Sequence, residues 1–584
     1  MAIQSRQRHL LRVAVLFLLL AGTALLTNQA PAEAHGYILR SFPQDQAVLA
    51  RAPTRVQVWF SENLEPRFST LSLTNQKGES VALSEVGVSP ANPTLLAARI
   101  SSPLPDGAYV VTIRAAFASD GHIGVDSLIF WVGQQTGSIA AKNVTRSSSG
   151  AVPLEVIWRA LTLLPLSILF GTLLLYQVVL VPGWGNPRYR AGGLAPRVMS
   201  RLNLLLWIVI VVAGLGCILA LLQQAMALFS TDLSVVLRNG LWSIVLLGTQ
   251  FGGDLQIRLL LLIVAGVVQA AALYLSARMP GLVAPLWALN TAVAGLILST
   301  MSIAGHAAGS TLWPVPSVFV DWLHLLAEAA WIGGLVGLAV VLPAALAPLG
   351  EAERRMALLA VLRRFSRIGV IAVALLAATG LYNALLYVQQ PSALTATSYG
   401  QTLILKVILI LPLLLIALYH HAVVADDWLA SLTRRLADRL VNLTSSVRLE
   451  SSIGLGVILV AALLTATPPP VPPDARGKAE APSQTQTVGS LGVNLSIDPG
   501  TVGGNSYEVD LSQGEQPLAG AQVWLRFVDP VLDKRSNLLL LDDVGDGSYV
   551  SAGADLERSG EWQAQVDVLN IPGRVSPADV RAVF

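Results

Sequence analysis

Eight stretches of this chain stay apolar over roughly the thickness of a membrane, and the segments before and after them switch to short runs that alternate apolar with polar. The long stretches cover approximately 157–181, 203–226, 258–277, 282–303, 318–342, 368–388, 401–419 and 452–467. A helix needs about 20 apolar residues to cross a hydrocarbon core, so these predict eight transmembrane helices, the last being the shortest. A further apolar run, 234–248, holds Arg238 and Asn239 and, at about 15 residues, is short for a span. It reads as an interfacial or re-entrant helix; counting it as a span would invert everything after it.

The arginines decide between those counts, because cytoplasmic loops hold the excess of Arg and Lys. With eight spans and an exported N-terminus, the inner loops contain Arg188, Arg190, Arg197, Arg201, Arg278, Arg354, Arg355, Arg363, Arg364, Arg367, Arg434, Arg435, Arg439 and Arg448, while the outer loops hold little beyond Arg238. Both ends of the chain are therefore expected on the non-cytoplasmic side of a cytoplasmic (inner) membrane.

Residues 35 to about 140 alternate in short runs such as Val56-Gln57-Val58-Trp59-Phe60, 70–73 and 109–113, with turn signals at Ala52-Pro53 and Pro105-Asp106-Gly107. That pattern predicts an all-β sandwich or barrel of about 100 residues. A Ser/Gly segment at 147–150 leads into the membrane region, 151–467. Beyond it, the proline-rich stretch 468–487 predicts a stiff, extended spacer. Alternation at 493–497, 507–511, 521–527 and 562–568, with Gly545-Asp546-Gly547 as a turn, predicts a small immunoglobulin-like sandwich over 488–584. The fold class is thus a polytopic α-helical bundle between two all-β domains.

Composition agrees. Of 584 residues, 53% are hydrophobic and only 13% charged, and the mean hydropathy is +0.61, too apolar for a chain soluble throughout. The net charge of +2, with no basic tract interleaved with aromatics, gives no sign of nucleic acid as a partner. The single cysteine, Cys217, lies in a span, so neither β domain relies on disulfides. Trp158, Trp313, Trp322 and Trp428, near span ends, read as an aromatic belt.

Arg6, Arg8 and Arg12 precede the apolar run 13–26, and Ala32-Glu33-Ala34 then offers small residues where a signal peptidase reads. Residues 1–34 read as a secretory signal; the alternative is an uncleaved anchor. Cleavage would leave His35 first, with its α-amino nitrogen and imidazole Nδ1 placed to close a ring on one cation. Asp120-Gly121-His122 adds a carboxylate and a second imidazole. Alone, that triplet is first of all a turn; with His35 it completes a set of three nitrogens and one oxygen, which suits Cu(II). Since the amine has a reference pKa near 8, binding should strengthen as pH rises toward that value.

In the membrane region, Asp321, His324 and Glu328 are spaced to share one helix face near the predicted outer end of the fifth span, and His306 follows the fourth. Ionisable groups at membrane depth are costly and usually face a cavity or partner. These four residues form a candidate inlet site, with solvated headgroup anchors as the alternative. His420 and His421 at the inner end of the seventh span stand as a candidate outlet site or as interfacial anchors. Adjacent residues on a helix point about 100° apart, so sharing one ion would need a helix end there. Lys406 sits inside the same span. The C-terminal region contains no His, Cys or Met, which points to an interaction or positioning role. No Walker A sequence is present.

The segments His35-Gly-Tyr-Ile-Leu-Arg-Ser-Phe-Pro, Ala52-Pro53 to Phe60-Ser61-Glu62, Pro105-Asp106-Gly107 and Ala118-Ser-Asp-Gly-His122 together resemble the CopC family of periplasmic copper-binding proteins over 35–133. The resemblance assigns Cu(II) ligation to His35, Asp120 and His122, with Glu62 as a supporting or alternative oxygen. Asp126 departs from the small residue expected there. Some relatives hold Cu(I) through methionines, and this region has none. Ser302-Ile-Ala-Gly-His306, Asp321-Trp-Leu-His324-Leu-Leu-Ala-Glu328 to Trp331-Ile-Gly-Gly334, and Arg364-Phe-Ser366 to Thr379-Gly380 resemble the CopD family of copper-resistance membrane proteins over about 155–467. The C-terminal region is similar to YtkA-like β domains. Implied is movement of copper across the inner membrane, usually inward, with the CopC-like part, 35–140, as external receptor. The implied partners are the copper ion, the bilayer and periplasmic copper proteins, and no enzyme activity is expected. The rival reading is a non-transporting copper chaperone or assembly factor. A redox enzyme built on the amine–imidazole brace is a third reading, for which no substrate can be named.

Overall fold

The structure, a computed structural model, describes residues 36–134 apart from 50, 51, 54, 91 and 120; 153–186; 193–305; 307; 314–424 apart from 389; 443–470 apart from 468; and 483–584 apart from 499, 501, 502, 515, 533, 557–559 and 573–579. The signal segment, His35, Asp120, His306 and most of the proline-rich spacer lie outside the described residues. The chain forms two compact units, one of helices and one containing both β regions.

In the helical unit all eight apolar stretches are helices: α1 (Pro153–Trp184), α2 (Pro196–Phe229), α3 (Gln250–Leu275), α4 (Pro280–Ile303), α5 (Val315–Leu346), α6 (Glu351–Tyr387), α7 (Ser398–His421) and α8 (Thr444–Thr465). The run 234–248 becomes two short helices, Leu233–Arg238 and Leu241–Gly248, rather than a span. Leu169, Leu173, Tyr176, Trp287, Leu338 and Val361 belong to one core between the helices. Leu204, Leu260, Ile263 and Leu415 stay more than half exposed, as an apolar surface does when lipid is its solvent. Trp158 departs from the belt reading: it is buried and donates Nε1–H to Gln223 of α2, while Trp313 and Trp428 lie outside the described residues.

α1 and α5 approach so closely that a Cβ on Gly333 would run into the Ser167 carbonyl, and one on Gly171 into that of Ala329. Small residues permit such backbone approach between membrane helices. At the same crossing α5 passes through a π turn, Ala329–Gly333, directly after Glu328. Gly333→Ala is expected to force the two helices apart at a cost of about 1–3 kcal/mol, visible as a lower melting temperature of the detergent-purified protein.

In the β unit, β1 (Ile38–Phe42), β3 (Arg55–Phe60), β7 (Leu95–Ile100) and β6 (Leu83–Val88) form one sheet in that order. The second sheet runs β2 (Ala47–Leu49), β9 (Ile123–Val132), β8 (Gly107–Ala116), β4 (Thr70–Asn75), β5 (Ser80–Val81). Val58, Phe60, Leu73, Leu96, Ile113 and Phe130 fill the space between them, which is the sandwich expected from the alternation.

The C-terminal region is all β as well. Its strands are β10 (Ser483–Val488), β11 (Leu491–Asp498), β12 (Gly503–Gln513), β13 (Gln516–Pro517), β14 (Gln522–Asp529), β15 (Lys534–Arg535), β16 (Leu539–Gly545), β17 (Ser548–Leu556), β18 (Gln563–Leu569) and β19 (Val580–Val583). Because β16 pairs with both β17 and β14, the strands make one continuous rolled sheet. Hydrogen bonds between Gln486 and the Val583 backbone nearly close it. Tyr507, Phe527, Tyr549 and Val566 are buried inside.

Candidate metal centres

The loop joining β8 to β9 carries the predicted Asp-Gly-His triplet. Phe117 N–H donates to the His122 carbonyl and Gly121 N–H to the Phe117 carbonyl, while Gly121 has a φ of 74°, the left-handed region glycine favours. These bonds make the turn that the Asp-Gly pair predicts. Asp120 itself lies outside the described residues, but its neighbours on both sides are held in place.

The segment that follows His35 comes to the same spot. Gly36 lies so close to the Phe117 ring that a Cβ would overlap it, and Phe117 is 1% exposed, a ring with no room to retreat. Tyr37 N–H donates to Ser61 Oγ at 3.1 Å, and Ser61 N–H donates to the Tyr37 carbonyl. Ser119 Oγ donates to Glu62, so the residue before Asp120 is tied to the carboxylate after β3. Burial, and then the Glu62 charge, raise the Tyr37 phenol above its ordinary range.

Gly36, Glu62, Ser119 and His122 thus bracket one place. Sequence reasoning named Glu62 and His122 but missed Phe117 as the seat for Gly36, because an aromatic in a β hairpin reads as core. Gly36→Val is expected to displace the N-terminal segment from that ring. Cu(II) binding should then weaken while the far end of the sandwich, around Leu73 and Phe130, keeps its amide protection in hydrogen exchange.

In the helical unit the predicted residues are placed as follows. His324 Nδ1 lies 2.8 Å from Thr379 Oγ1 of α6, and that hydroxyl already donates its one hydrogen to the Leu375 carbonyl. The imidazole must then donate from Nδ1, which leaves the Nε2 lone pair to accept a proton or a metal. Glu328 accepts from Ser167 at 3.0 Å through Oε2; its other oxygen is buried with no hydrogen-bond partner. Asn383 donates to Asp321 at 3.4 Å, a long contact. Lys406 of α7 lies within electrostatic reach of Asp321, His324 and Glu328. Among the described residues no three His, Cys, Asp or Glu side chains converge on one point.

The two adjacent histidines diverge. His420 Nε2 lies 2.6 Å from Ser446 Oγ and its Nδ1 is 2.7 Å from Glu450 Oε2, so both ring nitrogens face α8. His421 Nδ1 lies 2.8 Å from Ser366 Oγ of α6. The pair is not aimed at one ion, and buried His420 is no solvated anchor. Glu450 escaped sequence reasoning, since a lone carboxylate in an apolar helix carries no spacing signal.

Fold and site define a polytopic membrane protein whose extramembrane β unit presents imidazole and carboxylate groups at the edge of a sandwich. The chain belongs to the CopC/CopD copper-resistance family. Residues 38–133 match the family model for the CopC domain and residues 359–464, within α6 to α8, that for copper resistance protein D. The chain is 25% identical over 540 residues to the copper transport protein CutJ of Bacillus subtilis (strain 168), covering 91% of this chain and 93% of that protein. It is 32% identical over 254 residues to the inner membrane protein YebZ of Escherichia coli (strain K12), covering 43% and 79%. Among solved structures, CopC from Methylosinus trichosporium OB3b is matched over 99% of its length by 18% of this chain, at 25% identity and a TM-score of 0.16.

Proposed function

We propose that this chain captures Cu(II) outside the cytoplasmic membrane through the His35 amine and imidazole, Asp120 and His122, and moves copper inward through the helical unit. The observation that carries this reading is the seating of Gly36 against Phe117 beside the loop of His122, with Glu62 tied to Ser119. That arrangement holds the residues flanking both His35 and Asp120 against one hairpin. Within the helices, the His324 Nε2 lone pair and the open oxygen of Glu328 are the ligands expected to receive the ion. Direction comes from a gradient, ligand exchange or an inside sink, and the chain performs no catalysis.

The rival is a chaperone that hands copper to another periplasmic protein. A cytoplasmic copper reporter, read in cells with and without the chain at fixed external copper, separates the two. Transport predicts a higher cytoplasmic signal that His122→Ala reduces; an unchanged signal together with altered loading of periplasmic copper proteins would support the chaperone.

A further inference from the structure

β3 is buried on both faces. Val56, Val58 and Phe60 point into the sandwich core, yet Gln57 and Trp59, on the opposite face, are 1% and 0% exposed. A strand on the outer sheet of a two-layer sandwich should be wet on that side. What covers it is the C-terminal β domain, which belongs to the same compact unit.

The two facing surfaces match residue by residue. Across β1, β3 and β7 the register aligns Arg40, Trp59 and Leu95 in one row. Across β12, β17 and β16 it aligns Glu508, Val550 and Asp542 in another. Trp59, Leu95 and Val550 form one apolar cluster, joined by Leu39, Phe42 and Ala97. Arg40 Nη2 lies 2.8 Å from Glu508 Oε2, and Ser548 Oγ donates to the other oxygen of that carboxylate at 2.8 Å. Asp542 accepts from Gln57 at 2.7 Å and lies 3.5 Å from Arg55. Val550 faces away from its own domain's core, where its neighbour Tyr549 is buried instead. Both rows are thus built for each other.

We infer that the C-terminal domain is a positioning partner of the copper receptor: docked on β1 and β3, it holds the strand that leads back to His35 and the strand that leads on to Glu62. Arg40 is five residues from His35, and Tyr37 and Ser61 continue the β1–β3 pairing right up to the site. Cu(II) binding and domain docking are then linked, each strengthening the other. This rests on the Cu(II)-capture reading, and the experiment separates the two.

The test uses the full chain in detergent with its processed N-terminus and a protease site inserted after Arg476. After cleavage the C-terminal domain should stay bound, and Val550→Glu or Glu508→Arg should release it. Those variants should weaken Cu(II) affinity, measured by chelator competition, at least about fivefold. Exchanging the charges, Arg40→Glu with Glu508→Arg, should restore retention and affinity together, which a merely misfolded variant would not do. Release of the fragment from the unaltered chain, or unchanged Cu(II) affinity in a variant that has released it, would overturn the inference. Absence of Cu(II) binding by the unaltered chain would sink the capture reading and the positioning role with it, while fragment retention would still report docking by itself.

Discussion

Changing His122 to alanine in the full chain is expected to lower Cu(II) affinity by at least about 100-fold. Removing a group that merely orients a metal ligand typically costs 10–100-fold, and His122 is proposed as a ligand itself. The loop should survive the change, since its turn is made by backbone bonds from Phe117 and Gly121, to which the imidazole does not contribute. Chelator competition at constant pH measures the affinity, and circular dichroism shows whether the β unit has kept its fold. Glu62→Gln should have a smaller effect, because an amide oxygen can still accept from Ser119.

Changing Glu328 to glutamine is expected to bring copper accumulation down to the level of cells lacking the chain, with Cu(II) binding at the proposed His122 site unaffected. The amide keeps the volume and can still accept from Ser167, but it removes the one negative charge that the open oxygen would offer an arriving cation. Thr379→Val tests the companion group: without the hydroxyl that receives His324 Nδ1–H, the imidazole loses its fixed tautomer, and uptake should fall about 10–100-fold. If both variants accumulate copper as the unaltered protein does, the ion does not pass by these residues.

Much of the architecture was legible because it follows from hydropathy alone. All eight spans came from apolar length, and the shortness of 234–248 with Arg238 and Asn239 inside it was enough to set it aside from the spans, though not to show that it breaks into two helices. The polar partners inside the bundle were less legible. Ser167 stands among apolar residues and Ser446 in the polar Thr444-Ser445-Ser446 run that opens α8, and whether such a hydroxyl faces lipid or a polar partner depends on helix rotation, which composition does not encode. Thr379 and Ser366 did lie within the motifs that carried the CopD resemblance, yet their bonds to His324 and His421 emerge only when α5, α6 and α7 are packed.

The β unit shows the same boundary from another side. Val56-Gln57-Val58-Trp59-Phe60 alternates as a half-buried strand should, and nothing local says that its Gln57 and Trp59 face is covered. The covering residues, Glu508, Asp542 and Val550, lie more than 400 positions away, beyond a proline-rich spacer that reads as separating the domains.

Electron paramagnetic resonance of Cu(II) bound to the full chain, compared between protein beginning at His35 and protein carrying one extra N-terminal residue, tests the central claim most directly. Capture through the processed amine predicts a tight tetragonal, nitrogen-rich signal from the first and its loss from the second, where that nitrogen has become an amide. Identical spectra and affinities from both would contradict it, because His35 could then supply no more than its imidazole.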